Sequence, residues 1–177
     1  TEMMLRMDPG REVRLRGLFG IPLPTAGGKV NIAAGGVGIA TFIHYAKKHP
    51  KMVAGIYLGI PGRGYEKYAA KVSELLPDVR IFTDDGSFGE GESMFRVLPR
   101  RLGEDERVWS CGPPGFLRAL RSYYADEPDK LFFSLDKRMA CGYGGCMGCV
   151  VETVNGLKRL CADQSLFRAD EVTDDEC

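Results

Sequence analysis

The chain is short of histidine, has no net charge and contains no long apolar run. Its 177 residues carry 24 Lys plus Arg against 24 Asp plus Glu, so the basic excess that marks a nucleic-acid surface is missing. No apolar stretch approaches the roughly 20 residues needed to cross a bilayer, and no signal-peptide pattern is visible. The expectation is a cytoplasmic protein with neither a membrane nor a nucleic-acid partner. The only histidines, His44 and His49, have no cysteine or carboxylate at ligand spacing, and no paired carboxylates stand out. That leaves nothing resembling hydrolytic machinery. A chain without secretory features also has little use for disulfides. Against these absences stand six cysteines and 23 glycines.

The middle of the chain alternates two periodicities. Short apolar runs at Lys29–Ala34, Met52–Gly59, Val79–Thr83, Arg107–Cys111 and Leu131–Leu135 read as buried strands. Between them, Ile39, Phe42, Ile43 and Ala46 fall at helical spacing. So do Tyr65, Tyr68, Ala69 and Val72, then Met94, Val97 and Leu98, then Leu117, Leu120 and Tyr124. Strand and helix in alternation predict an α/β fold, a doubly wound five-stranded parallel sheet. Upstream, Arg11–Gly17 alternates polar and apolar residues like a half-buried strand, and Leu18–Gly28 is a Pro/Gly-rich connector.

Two loops at the predicted carboxyl rim of the sheet carry ligand-binding features. After the first strand, Gly35, Gly36 and Gly38 let the backbone turn tightly and come close to a ligand. The helix that follows offers free N–H groups to a phosphate. This is dinucleotide logic, although the full G-x-G-x-x-G pattern is not present and a turn that only tightens packing is the alternative. After the fourth strand come Cys111, Gly112 and Pro113, where the plain alternative for Cys111 is a small buried hydrophobe. A third rim loop, Thr83–Gly91, is too polar and glycine-rich to be core. The loop after the second strand lacks an acid for a ribose 2′-hydroxyl, while Arg63 could meet a 2′-phosphate, so NAD and NADP stay undivided.

Four cysteines crowd near the end: Cys141-x4-Cys146-x2-Cys149-x11-Cys161. The first three match the plant-type [2Fe–2S] pattern, C-x4-C-x2-C with a fourth cysteine downstream. A zinc module usually shows two short knuckles, and only one C-x2-C is present. Four of the six residues between these ligands are glycine: Gly142, Gly144, Gly145 and Gly148. A loop that turns successive N–H groups toward sulfur needs such residues. Spacing and composition favour a [2Fe–2S] cluster over a zinc staple or a disulfide. Tyr143 and Met147 would shield it or meet a partner. Asn155-Gly156, between Val150–Val154 and Leu157–Cys161, is a strong hairpin signal that returns the fourth cysteine to the other three.

The stretches GGVGIAT, TDDGSFGEG, CGPPGFLRAL, SLDKRMACGYGGCMGC and the later LC stand in one order. Together they resemble the electron-transfer subunits of NAD-dependent two-subunit dihydroorotate dehydrogenases, within the ferredoxin–NADP reductase superfamily. The resemblance implies a division into 1–28, the remnant of a flavin-binding barrel; 29–135, an NAD(P)(H)-binding α/β domain; and 136–177, a small β-rich [2Fe–2S] module. It implies Gly36 and Gly38 at the nucleotide phosphates, Cys111, Gly112 and Pro113 on the nicotinamide side, and Cys141, Cys146, Cys149 and Cys161 as cluster ligands. It also places Thr1 near a flavin pyrophosphate, with FAD expected only together with the N-terminal barrel. The implied partner is a flavin-containing dihydroorotate dehydrogenase catalytic subunit in a hetero-oligomer, making the chain an oxidoreductase subunit of pyrimidine biosynthesis. A sister reductase serving ferredoxin, sulfide or hydrogenase is the competing reading, and a zinc-stapled nucleotide-binding module is a third. After Cys161 the family has Asp-Gly-Pro, where this chain has Asp163-Gln164-Ser165, which bears on the partner.

Overall fold

The computed structural model describes residues 2–176; Thr1, expected beside a flavin pyrophosphate, lies outside the described residues. After a one-turn helix, α1 (Glu2–Leu5), the chain runs without regular structure to β1 (Lys29–Gly35). It continues through α2 (Ala40–Lys48), β2 (Val53–Ile60), α3 (Glu66–Leu75), β3 (Val79–Thr83), α4 (Met94–Val97), β4 (Glu106–Cys111), α5 (Pro114–Tyr123) and β5 (Leu131–Phe133). A hairpin follows, β6 (Val150–Thr153) and β7 (Gly156–Arg159), then a two-residue strand, β8 (Phe167–Arg168). The main sheet has the order β3-β2-β1-β4-β5-β8. Its first five strands are parallel, and β8 adds antiparallel to β5, pairing Phe132 with Arg168 and Phe133 with Phe167. The doubly wound five-stranded sheet is therefore present, with a sixth strand that the sequence reading did not include.

The apolar runs form strands because both faces of the sheet are covered. On one face, Phe42 and Tyr45 of α2 and Ala69 and Val72 of α3 pack on Ile32, Leu58 and Trp109. On the other, Leu117, Leu120 and Tyr124 from the α5 region pack with Val108 and Phe133. Each fully buried side chain of this size contributes about 1.5–3 kcal/mol. Val151, Leu160, Phe167 and Val172, from beyond residue 136, join that second core. The cysteine segment thus folds onto the sheet. Lys47 and Lys48 in the last turn of α2 complement its dipole. Pro113 precedes α5 as its N-cap, and Pro114 takes the first helical position.

One expected strand does not form. Arg11–Gly17 is exposed and unpaired. A half-buried alternation needs a neighbouring strand to bury against, and no described residue supplies one.

Candidate functional site

The first candidate site is a cleft of about 1060 Å³ beyond the carboxyl ends of β1, β2 and β3. This is where open α/β sheets bind ligands. Gly35, Gly36, Val37, Gly59, Asp84, Asp85, Pro113 and Phe116 are among its walls. At its floor a 3-10 turn, Gly36–Ile39, links β1 to α2, and Gly36 takes φ +54°, which favours glycine. Tyr68 of α3 donates a 3.0 Å hydrogen bond to the Gly36 carbonyl, fixing the turn from behind.

Of the residues singled out in the sequence, Gly35, Gly36 and Pro113 reach the cleft wall. Gly38 and Cys111 sit behind it. A Cβ on Gly38 would lie 2.3 Å from the Cys111 carbonyl oxygen, and one on Gly112 would lie 3.0 Å from the Gly35 Cα. The two rim loops interlock through glycine, so these residues set the cleft's shape from below. Cys111 is buried, with Thr41 Oγ1 donating to its sulfur at 3.8 Å. Burial pushes its thiol above the ordinary range.

The sequence reading missed Asp85 as an individual residue. Its carboxylate accepts from the Arg63 N–H at 2.9 Å and from the Ser87 N–H at 2.9 Å. Together with the Ser87 hydroxyl, these bonds hold the group at about 2. Gly62 makes room for it, since a Cβ there would lie 1.9 Å from Asp85 Oδ1. An acid from the loop after β3 thus lies against the loop after β2, where the sequence has none. The available signal was the polar stretch Thr83–Gly91, but only the fold brings it across to Arg63.

The second candidate site is the cysteine collar. Cys149 and Cys161 are buried, their sulfurs 3.2 Å apart and not bonded to each other. Cys141 is half-buried and Cys146 exposed. N–H groups of Tyr143 and Cys146, the Cys146 thiol and the Gly145 N–H face the Cys141 sulfur and lower its thiol to about 6. The Gly144 N–H donates to Cys161 Sγ at 3.1 Å, and the Gly148 N–H to Cys146 Sγ at 3.4 Å. Gly142 and Gly144 take φ +79° and +86°, and Met147 takes φ +59° despite its side chain. Among the described residues, no group of three or more His, Cys, Asp or Glu side chains gathers as a single ion requires. Cys149 and Cys161 form one close pair, and Cys146 is among the groups that act on Cys141. That arrangement and the inward N–H groups suit two iron centres bridged by sulfide better than one tetrahedral zinc. Around the collar, Met139, Tyr143 and Met147 are exposed, and Arg16 lies over the Tyr143 ring.

A nucleotide-type cleft and a cysteine collar on one parallel sheet define a reductase-class electron-transfer protein. Residues 136–173 match the iron–sulfur cluster binding domain of dihydroorotate dehydrogenase B. The chain is 32% identical over 177 residues to the dihydroorotate dehydrogenase B (NAD(+)) electron transfer subunit of Caldanaerobacter subterraneus, covering 97% of this chain and 70% of the relative. It is 30% identical over 183 residues to that of Bacillus caldolyticus, covering 97% and 69%. Among solved structures, an NADH-dependent reduced ferredoxin-NADP oxidoreductase superposes with a TM-score of 0.69 at 27% identity. That match covers 99% of this chain, and the chain spans 63% of the other's length. The chain belongs to the family of electron transfer subunits of dihydroorotate dehydrogenase B.

Proposed function

We propose that this chain relays electrons between a nicotinamide nucleotide bound in the cleft and a flavin-bearing dihydroorotate dehydrogenase catalytic subunit. As an oxidoreductase subunit it would be active only with that partner and with FAD. The observation that carries the reading is the close pair of Cys149 with Cys161, with Cys146 acting on Cys141, inside a ring of N–H groups. A [2Fe–2S] cluster on these four thiolates supplies one-electron chemistry when bound. The residues do the rest. The turn at Gly35, Gly36 and Gly38 presents backbone N–H groups to the nucleotide phosphates. Cys111, Gly112 and Pro113 shape the nicotinamide side. Asp85, tied across two loops, accepts from a ribose 2′-hydroxyl and repels a 2′-phosphate, favouring NAD(H) over NADP(H). Buried Cys149 and Cys161 hold their half of the collar away from water. Residues 1–28, 29–135 and 136–177 serve as linker, nucleotide-binding and cluster-binding parts. Cysteines that serve as cluster ligands rather than in disulfides suit a reducing compartment, which supports a cytoplasmic location.

A second reading, a sister reductase serving ferredoxin, is favoured by the resemblance to the NADH-dependent ferredoxin-NADP oxidoreductase and by Gln164-Ser165 after Asp163. The test is anaerobic purification of the full-length protein with metal, sulfide and flavin analysis, followed by electron-acceptor assays. Iron and acid-labile sulfide in equal amounts, lost in Cys149→Ser, together with orotate-dependent oxidation of NADH in the presence of the catalytic subunit, are expected. Transfer only to ferredoxin selects the second reading. Zinc without labile sulfide overturns both.

A further inference from the structure

Arg159, the last residue of β7, reaches back to the cysteine collar. Its Nη1 donates to the Gly144 carbonyl at 2.8 Å. Asp163 holds the rest of the side chain, accepting from Arg159 Nε at 2.8 Å and Nη2 at 2.7 Å, and it also accepts from the Arg159 backbone N–H at 2.8 Å. The guanidinium is thus locked between a carboxylate and one collar carbonyl, a forked geometry that lysine cannot reproduce.

The grip acts on two peptide planes. The Gly144 carbonyl and the Gly145 N–H belong to one trans peptide, so they point in opposite directions. With the carbonyl held on Arg159, the peptide that follows Gly144 is fixed in orientation. The preceding peptide ends in the Gly144 N–H, which donates to Cys161 Sγ at 3.1 Å. Gly144 is buried at φ +86°, and a Cβ there would lie 3.0 Å from Arg159 Nη1 and 2.9 Å from the Ala162 Cβ. The guanidinium therefore occupies the space beside this glycine. One side chain, outside the four cysteines, thus fixes the residue whose N–H donates to Cys161.

We infer that Arg159, anchored by Asp163, is a positioning residue that sets the reduction potential of the cluster by aiming the Gly144 N–H at Cys161. The inference rests on the cluster reading above. A reduced cluster is the more negative state, and N–H groups directed at its sulfurs stabilise it. Loosening them lowers the potential.

The test compares the iron- and sulfide-loaded full chain with Arg159→Lys and Asp163→Ala. The midpoint potential is followed by visible absorption and by the paramagnetic signal of the reduced protein. Arg159→Lys keeps the charge and loses the fork. Its potential is expected to fall by about the 59 mV that corresponds to a tenfold change in a one-electron equilibrium constant, with an altered paramagnetic line shape. Asp163→Ala removes a negative charge, which by charge alone would raise the potential. If aiming governs, the potential falls instead. A loaded Arg159→Lys protein with the parent potential overturns the inference, as does a rise in Asp163→Ala. Should Arg159→Lys not retain iron, Asp163→Ala decides alone. Failure of the parent chain to bind iron and sulfide would sink the cluster reading itself, a separate outcome.

Discussion

Asp85 holds the loop after β3 against Arg63, and in the proposed role it also selects the ligand. With Arg63 and Ser87 donating to it, its carboxyl lies at about 2 rather than the ordinary 3.8. A depressed carboxylate contributes stability that is complete above 3.8 and is lost as pH falls through about 2. Its charge is therefore constant across neutral pH. The NADH dissociation constant is expected to be flat from about pH 5 to about pH 8 as far as Asp85 sets it, as titration calorimetry at several pH values would show. Asp85→Asn should weaken NADH binding about tenfold, the size of one charge-assisted hydrogen bond, and narrow the gap to NADPH. A gap unchanged in the variant would remove Asp85 from nucleotide selection. This residue was hidden in the sequence because its partner Arg63 is 22 positions away and the contact exists only when β2 and β3 lie side by side. The cysteines were legible because their spacing carries chemistry directly. Arg159 and Asp163 were not, because a basic residue on a hairpin and an acid after it read as ordinary surface charges until the turn at Gly144 faces them.

At the scale of elements, the β1 turn and α5 respond oppositely to the same substitution. Gly38→Ala would drive a Cβ to 2.3 Å from the Cys111 carbonyl oxygen. The expected cost is about 3 kcal/mol, read as a lower denaturation midpoint with an unchanged denaturant slope. Gly115, in the first turn of α5, has nothing within 4 Å of an added Cβ. Gly115→Ala should be neutral to stabilising by about 0.5–1 kcal/mol. Tyr124, just past α5, donates to the Pro99 carbonyl at 2.8 Å from a buried position. Tyr124→Phe leaves that carbonyl without its partner and should cost about 1–3 kcal/mol, seen as a lower melting temperature. The main strands and helices were legible from apolar spacing because each buries a continuous face. Two elements were misjudged for opposite reasons. Arg11–Gly17 has strand periodicity but no described neighbour to pair with. Phe167–Arg168 is too short to show any period, and it forms because the open edge of β5 accepts it.

At the scale of the molecule, the cysteine segment and the sheet share one core, in which Val151, Leu160 and Phe167 pack with Val108 and Phe133. The loaded chain is expected to unfold in a single transition. The fluorescence of Trp109, the chain's only tryptophan, and the visible absorption of the cluster should change at the same denaturant concentration. Phe167→Ala should lower both midpoints together, by about 3–5 kcal/mol. Separate transitions would mean that the collar folds independently of the sheet. The sequence by itself determined the parallel α/β framework, the glycine turn and the spacing of the four cysteines, since periodicity, glycine and thiol spacing are local properties written in consecutive residues. Tertiary structure alone decided that Asp85 ties the loop after β3 to Arg63, that Arg159 grips the collar, and that β8 extends the sheet. Each of these is a contact between segments far apart in the chain, and no local pattern encodes which distant surface a side chain will meet.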